Sequence, residues 1–107
     1  MYEVYRYQTE AGAEPVSEWF ATVTDKFTQA VLRRRITRLQ LGSLGDVATV
    51  DSGVFELREH TGAGYRIYFA RHGSLVIILL CGGTKRTQAA DIKKAIRYWT
   101  DWKRRQL

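Results

Sequence analysis

The sequence predicts an α+β domain with the element order β-α-α-β-β-β-α, in which a small, mostly antiparallel sheet carries its helices on one face. Two observations carry this prediction. Residues 54–81 contain three short strand patterns joined by glycine-bearing turns, and two helical patterns precede them while one follows. With 107 residues, of which 45% are hydrophobic, the chain has the size and apolar content of one domain over residues 1–107.

The first half of the chain predicts one strand and two helices. Residues 1–8 are rich in Tyr and Val and predict a strand, and a helix over residues 14–23 follows, where Pro15 suits the first turn. A second helix is expected over residues 26–41. Its apolar residues form two sides, namely Leu32, Ile36 and Leu39 on one and Phe27, Ala30 and Val31 on the other. We therefore expect this helix to pack between the sheet and the first helix.

The second half predicts most of the sheet and the longest helix. Glycines, serines and aspartates mark residues 41–53 as a loop. The last of the three strands that follow is nearly all apolar over residues 75–81, as expected for a central strand covered on both sides. Residues 87–105 have the clearest helical spacing of apolar side chains.

The positive charge of the chain is unevenly distributed. The net charge is +6, and residues 25–41 carry five basic side chains against one acidic, while residues 85–107 carry eight against two. A basic protein whose cations gather in two segments favours a polyanionic partner, with nucleic acid first. The alternatives are a generic basic protein and one whose cations meet an acidic protein partner.

The cysteine and histidine counts exclude several classes of protein. A single cysteine, Cys81, forms no intramolecular disulfide, and with two histidines it falls short of a zinc set, so we expect no metal and no cofactor. Cys81 itself is expected to be a buried structural thiol. The chain opens without a signal-peptide pattern, and its longest apolar run is far shorter than a membrane span. We therefore expect a cytoplasmic protein with no membrane partner.

A charged cluster is predicted on two neighbouring strands. Because side chains alternate between the faces of a strand, Glu56 and Arg58 share one face, and Arg66 and Tyr68 share one face of the next strand. If the two strands pair through the turn at residues 60–64, one carboxylate, two guanidiniums and a phenol converge on the sheet face that the helices leave free. We call these four residues the charged cluster.

Two further cations follow the third strand. Lys85 and Arg86 lie just past its end, so both could join the charged cluster. A carboxylate surrounded by that many cations is typical of a phosphate site. The alternative is a cross-strand network of ion pairs on a solvated sheet face, which is common in proteins.

The charged cluster contains the groups that RNA cleavage without a metal requires. A ribose 2′-oxygen must lose a proton and attack the adjacent phosphorus, while the leaving 5′-oxygen gains a proton and negative charge develops on the phosphate. Glu56 could act as the base, and Arg58 and Arg66 could clamp the phosphate. Lys85 is a candidate acid or a further clamp, and Tyr68 is a candidate donor or stacking platform.

The same region resembles a known family of bacterial toxins. Its pattern is ELR, a glycine-bearing turn, GYR-x-YF, an apolar strand and GG-x-K-x-x-Q followed by a helix. This pattern, with the upstream EWF helix, is similar to the RelE/HigB superfamily, in the branch called addiction module killer proteins. One departure is Thr84, since this branch often has Asp at that position.

The resemblance implies a RelE-like fold and a toxin of a type II toxin–antitoxin pair. Such a toxin is an mRNA endoribonuclease that usually acts on the translating ribosome, and a separately encoded antitoxin, expected here to be of the helix-turn-helix type, silences it. Operator DNA would be reached only through the antitoxin complex.

The resemblance also implies roles for individual residues. Arg58, Arg66 and Lys85 match the functional cations, with Glu56 as the acid–base residue and Tyr68 as an auxiliary. The expected RNA-binding residues are Arg71, Arg86, Gln88, Lys93 and Lys94. The alternative function is a basic module that binds nucleic acid or an antitoxin without catalysis.

Overall fold

The computed structural model describes residues 1–106, which form five strands and three α-helices. In chain order these are β1 (Glu3–Arg6), α1 (Pro15–Thr22), α2 (Lys26–Gln40), β2 (Val47–Thr49), β3 (Val54–Glu59), β4 (Tyr65–His72), β5 (Val76–Thr84) and α3 (Gln88–Arg105). One turn of 3₁₀-helix, Lys85–Thr87, joins β5 to α3. Among these residues no helix combines the length and apolar composition that crossing a bilayer requires.

The strands form one sheet in the order β1-β5-β4-β3-β2. β1 runs parallel to β5, and every other neighbouring pair is antiparallel. The α+β class, the mostly antiparallel sheet and the predicted order of elements are confirmed, with one addition. β2 lies inside the predicted loop and pairs with β3, with Ala48 opposite Glu56. A strand of three residues is too short to show the alternation that reveals strands in a sequence.

The prediction that the helices pack on one face of the sheet is wrong, because they pack on both. One buried apolar cluster joins α1 and α2 to alternate sheet residues, namely Leu57, Ile67, Phe69, Ile77 and Leu79. A second cluster joins α3 to the residues between them, namely Val54, Tyr68, Ala70, Ile78 and Leu80. The central strands β4 and β5 are apolar on both faces, so each face needs a cover that excludes water. The face with the charged cluster is therefore the face of α3.

The second helix buries one side instead of two. Leu32 and Leu39 are fully buried in the cluster under α1 and α2, whereas Phe27 is 68% exposed. The expectation that α2 packs on two sides is therefore wrong for the side that carries Phe27 and Ala30. Asp25 caps the helix by accepting a hydrogen bond from the Thr28 backbone N–H at 3.0 Å.

Two consecutive glycines let α1 and α3 approach the end of β5. A Cβ atom added at Gly82 would lie 2.2 Å from Cε3 of Trp19, and one added at Gly83 would lie 1.8 Å from Oδ2 of Asp91. No side chain fits at either position without displacing these neighbours. The pair Gly82–Gly83 is thus the point where a helix from each face of the sheet touches the same strand.

We expect Gly82→Ala to destabilise the protein by about 1–3 kcal/mol, because the new methyl group overlaps the Trp19 ring in a packed core. Urea unfolding at neutral pH measures this loss. In a Trp19→Ala background the methyl group has space, so the same substitution should have a much smaller effect. An equal loss in both backgrounds would contradict the assigned contact.

Candidate functional site

The strand register brings the charged cluster together. Arg58 of β3 lies directly opposite Arg66 of β4, and Glu56 lies opposite Tyr68. All four side chains belong to the face of α3, since their strand neighbours Val54 and Ala70 belong to the apolar cluster under that helix. The strand register therefore brings these four residues together on one face of the sheet, as predicted.

The carboxylate of Glu56 is the centre of the site. The residue is 1% exposed. Its Oε1 accepts a hydrogen bond from Nε of Arg58 at 2.7 Å, and its Oε2 accepts one from the Tyr68 hydroxyl at 3.2 Å and one from Nε2 of Gln88 at 2.6 Å. Partners from β3, β4 and α3 therefore satisfy one buried charge.

Arg66 lies beside the carboxylate, and one of its N–H groups makes no hydrogen bond to the described part of the chain. Its Nε is 3.7 Å from Oε1 of Glu56, and this buried nitrogen has no hydrogen-bond partner among residues 1–106. Nη1 of Arg66 donates to the backbone oxygen of Tyr65 at 3.3 Å. The guanidinium is thus buried beside the carboxylate, with one N–H that makes no hydrogen bond to the residues described.

Lys85, which follows β5, lies against the turn between β3 and β4. Its backbone N–H donates to the oxygen of Gly64 at 2.7 Å. A Cβ atom added at Gly64 would lie 3.4 Å from Cβ of Lys85 and 3.9 Å from Nη1 of Arg66, so the base of the Lys85 side chain and the Arg66 guanidinium both adjoin this glycine. Gly64 has φ +76°, a backbone conformation that residues with a side chain rarely adopt. Both this backbone conformation and the nearby Lys85 and Arg66 atoms therefore favour glycine at the position.

The surroundings fix the protonation states of the cluster. Burial opposes ionisation of Glu56, but hydrogen bonds from Arg58, Gln88 and Tyr68 outweigh it and hold the pKa of this carboxyl below its ordinary value. Burial, together with the charge of Glu56 and the hydrogen bond to it, raises the pKa of Tyr68. Tyr68 is therefore a protonated donor at neutral pH, and Glu56 is ionised.

The expectation that Glu56 is a base on a free sheet face needs correction. The carboxylate is covered by Arg58, by Tyr68 and by Gln88, the first residue of α3. Covered in this way it cannot reach a ribose hydroxyl in the conformation described. The Arg58 side chain is 37% exposed, so solvent reaches part of this arrangement.

The other predicted RNA-binding residues lie in three different places. Arg86 is exposed on the 3₁₀ turn, next to Lys85, and Lys93 and Lys94 are exposed on α3. Gln88 is half-buried and serves as a partner of Glu56. Arg71 is five residues from Arg66, about 17 Å along the strand, and its guanidinium lies 5.4 Å from the centre of the Tyr2 ring. The structure therefore does not bring Arg71 to the cluster.

One supporting residue was not foreseen in the sequence. Arg35 of α2 donates to the backbone oxygen of Arg58 and forms a salt bridge with Glu59 at 3.1 Å, which anchors the end of β3 to the helix on the other face. Nothing local distinguishes Arg35 from its neighbours Arg33 and Arg34, which are exposed. Within residues 1–106 no three His, Cys, Asp or Glu side chains gather closely enough to hold a metal ion.

Comparison with known proteins identifies the family of the chain and a similar bacterial protein. Residues 18–99 match the family described as phage derived protein Gp49-like (DUF891). An uncharacterised protein of Haemophilus influenzae is 44% identical over 77 residues, which cover 72% of this chain and 78% of the relative. The matched range includes β3, β4, β5 and the first two-thirds of α3, so every residue of the charged cluster lies within it.

We expect Glu56→Gln to lower the free energy of unfolding by about 1–3 kcal/mol at neutral pH, because two guanidiniums lose their counter-charge. The folded pKa of Glu56 lies below its unfolded value, so the contribution of the charge is present above that unfolded value and disappears as the pH falls through the folded pKa. The difference in unfolding free energy between wild type and variant should therefore narrow as the pH falls below the unfolded pKa of Glu56 and through its lower folded pKa.

Urea unfolding at a series of pH values measures this difference. Glu3→Gln is the matched control, since Glu3 is exposed and its carboxylate accepts a hydrogen bond from Tyr5. A Glu56→Gln difference that stays constant with pH would show that the ionised carboxylate is not what stabilises the site.

Proposed function

Because the chain belongs to the Gp49-like family of phage-derived proteins, a family associated with toxin–antitoxin systems, we propose that it is the toxin of a type II toxin–antitoxin pair. In this proposal it belongs to the RelE/HigB superfamily and is an endoribonuclease. It cuts messenger RNA on the translating ribosome without a metal ion and so inhibits translation.

One observation carries the proposal, the excess of positive charge held around a single buried carboxylate. Arg58 and Arg66 flank Glu56, and the backbone of Lys85 joins the turn beside Arg66. Asp46 is a second, exposed carboxylate near Arg58, and it also pairs with His60. Arg58 is partly exposed and Lys85 is exposed, while Arg66 is buried and has one N–H that the described residues leave unsatisfied. An RNA phosphodiester supplies negative charge and acceptor oxygens for these cations.

The proposed reaction assigns these cations to the phosphate. Arg58 and Arg66 bind its non-bridging oxygens and stabilise the charge that develops there as the 2′-oxygen attacks. Lys85 lies at the exposed rim, where it can protonate the leaving 5′-oxygen or add a further positive charge. Tyr68, buried and protonated, donates to Glu56 and positions it.

Glu56 acts as the base in this scheme after the substrate binds. A phosphate that attracts Arg58 competes directly with Oε1 of Glu56 for the same guanidinium. When Arg58 turns to the phosphate, Oε1 loses its hydrogen bond and keeps only the more distant Arg66 beside it, while Oε2 keeps its bonds to Tyr68 and Gln88. The carboxylate then faces the position of the ribose that is bound to that phosphate.

The family and the charge of the chain support the proposed partners. An antitoxin, here proposed to be of the helix-turn-helix type, would silence the protein, and operator DNA would be contacted only within that complex. The exposed cations of the 3₁₀ turn and α3, namely Lys85, Arg86, Lys93 and Lys94, are the proposed contacts to messenger RNA and the ribosome. These partners place the proposed function in the cytoplasm.

The burial of Glu56 favours a second candidate function, binding without cleavage. A carboxylate that stays covered by Arg58 and Gln88 would hold the cations in place and perform no proton transfer. RNA that is bound and remains intact with ribosomes present, with an affinity that falls steeply as salt rises, would support this candidate over the nuclease.

We expect Lys85→Ala to relieve the growth arrest that the wild-type chain causes in a bacterium, and to slow RNA cleavage by about 10²–10³-fold, because one fixed charge at the phosphate is lost. Primer extension on messenger RNA in a translating extract measures cleavage. Lys85 is exposed, so the fold should be unaffected.

Arg71→Ala is the matched control for this experiment. It removes one exposed cation from the same sheet, at the far end of β4. It should arrest growth and cleave RNA like the wild type. Equal activity of Lys85→Ala and Arg71→Ala would reject the proposed site, and a wild-type chain that arrests growth without cutting RNA would reject the nuclease.

A further inference from the structure

A cavity next to the charged cluster lies at the end of β5. It has a volume of about 440 Å³ and is bordered by α1, α3 and the 3₁₀ turn. This volume lies within the range of about 300–1,000 Å³ that is typical of sites for small ligands. We propose that the cavity binds one base of the RNA and selects guanine. The proposal rests on the proposed RNA-cleaving function and extends it to the recognition of the base.

The cavity exists because one edge of β5 is left uncovered. β1 pairs with β5 only as far as Leu79, so residues 80–84 have β4 on one edge and, among the described strands, none on the other. Trp19 from α1 and Tyr98 from α3 line the cavity on either side of this edge. Tyr98 is held in place by stacking on Tyr7, with ring centres 4.9 Å apart. Aromatic walls of this kind stack on unpaired bases.

Asp91 gives the cavity its chemical character. The residue is 7% exposed and lines the cavity, and its Oδ2 accepts a hydrogen bond from the Thr87 hydroxyl. Within residues 1–106 its Oδ1 accepts no hydrogen bond from a protein group and is not closed off from solvent, so this oxygen is open to the cavity that Asp91 lines. A carboxylate this deeply buried is normally satisfied by donors. The ligand that fits therefore presents N–H groups to Asp91.

Guanine is the base whose donors match this carboxylate. Its N1–H and N2–H groups are adjacent and point the same way, so both can bond one carboxylate, whereas each other base presents a single N–H group or amino group on that edge. Lys94 also lines the cavity, and its ammonium group can donate to O6 of guanine. Adenine would place its amino group where guanine has this acceptor, which disfavours it.

The cavity and the charged cluster are close enough to serve one nucleotide. Gly83, which lines the cavity, is the strand partner of Arg66. In α3, Gln88 reaches Glu56, and Asp91, three residues later on the same side of the helix, lines the cavity. A base held by Asp91 would therefore carry its own phosphate toward Arg66 and Lys85.

The test is a titration of the full chain with GMP, AMP, CMP and UMP, followed by NMR chemical shifts of the backbone and tryptophan N–H groups. We expect GMP to bind at least about tenfold more tightly than the other three nucleotides. Asp91→Asn, which keeps the side-chain shape, should abolish this preference, and Lys94→Ala should weaken it. Lys94 is exposed, so its variant should fold even if Asp91→Asn does not.

Asp51→Asn is the matched control, since it removes one carboxylate from an exposed turn outside the cavity and should leave the preference for GMP unchanged. Equal affinity of the wild type for all four nucleotides would overturn the proposal, as would a GMP preference that survives in Lys94→Ala and in folded Asp91→Asn.

Cleavage mapping separates this proposal from the proposed function. If the wild-type chain cuts RNA with no preference for guanine next to the cleaved bond, the proposal that the cavity selects guanine is wrong, while the proposed nuclease activity stands. A chain that does not cut RNA would overturn the nuclease, while the nucleotide titration would still decide the cavity.

Discussion

A carboxylate inside a protein must be given donors or counter-charges, and the arrangement around Glu56 meets that requirement. Arg58, Tyr68 and Gln88 come from β3, β4 and α3, and each donates to this one group. Loss of any of them would leave a buried charge short of partners, so the three elements are held to one relative position. The same requirement brings Arg66 beside Arg58, although two guanidiniums would otherwise repel each other.

The helix α3 connects the stability of the domain to this site. Ala95 and Trp99 bury its apolar side against the sheet, whereas Gln88 and Asp91 in its first turn lie over the charged cluster and the cavity. The packing of the apolar part therefore sets how closely the first turn approaches Glu56. Gly82 and Gly83 leave the space in β5 that this close packing requires, because a side chain at Gly82 would displace α1 and one at Gly83 would displace α3.

Local patterns were sufficient for the class of fold and for which residues share a strand face. Alternation placed Glu56, Arg58, Arg66 and Tyr68 on one side, and antiparallel pairing then brought them together. The burial of the site was not predicted, because it depends on α3 crossing that face. The sequence contained one sign of it, since a strand that is apolar on both sides, such as β5, needs cover on both. The contacts of Arg35 with Arg58 and Glu59 join residues far apart in sequence, so no local pattern specifies them.

In the proposed reaction, the burial of Glu56 becomes an advantage once a phosphate is bound. The hydrogen bonds from Arg58, Gln88 and Tyr68 now hold the pKa of this carboxyl low in spite of burial. A phosphate that takes Arg58 removes the first of these bonds and brings a negative charge close, while Tyr68 and Gln88 keep the carboxylate in place. Both changes raise the pKa of Glu56, because they disfavour its charged form. The carboxylate would thus become a stronger base only when a substrate is present, and it would remain a neutralised structural group in the free protein.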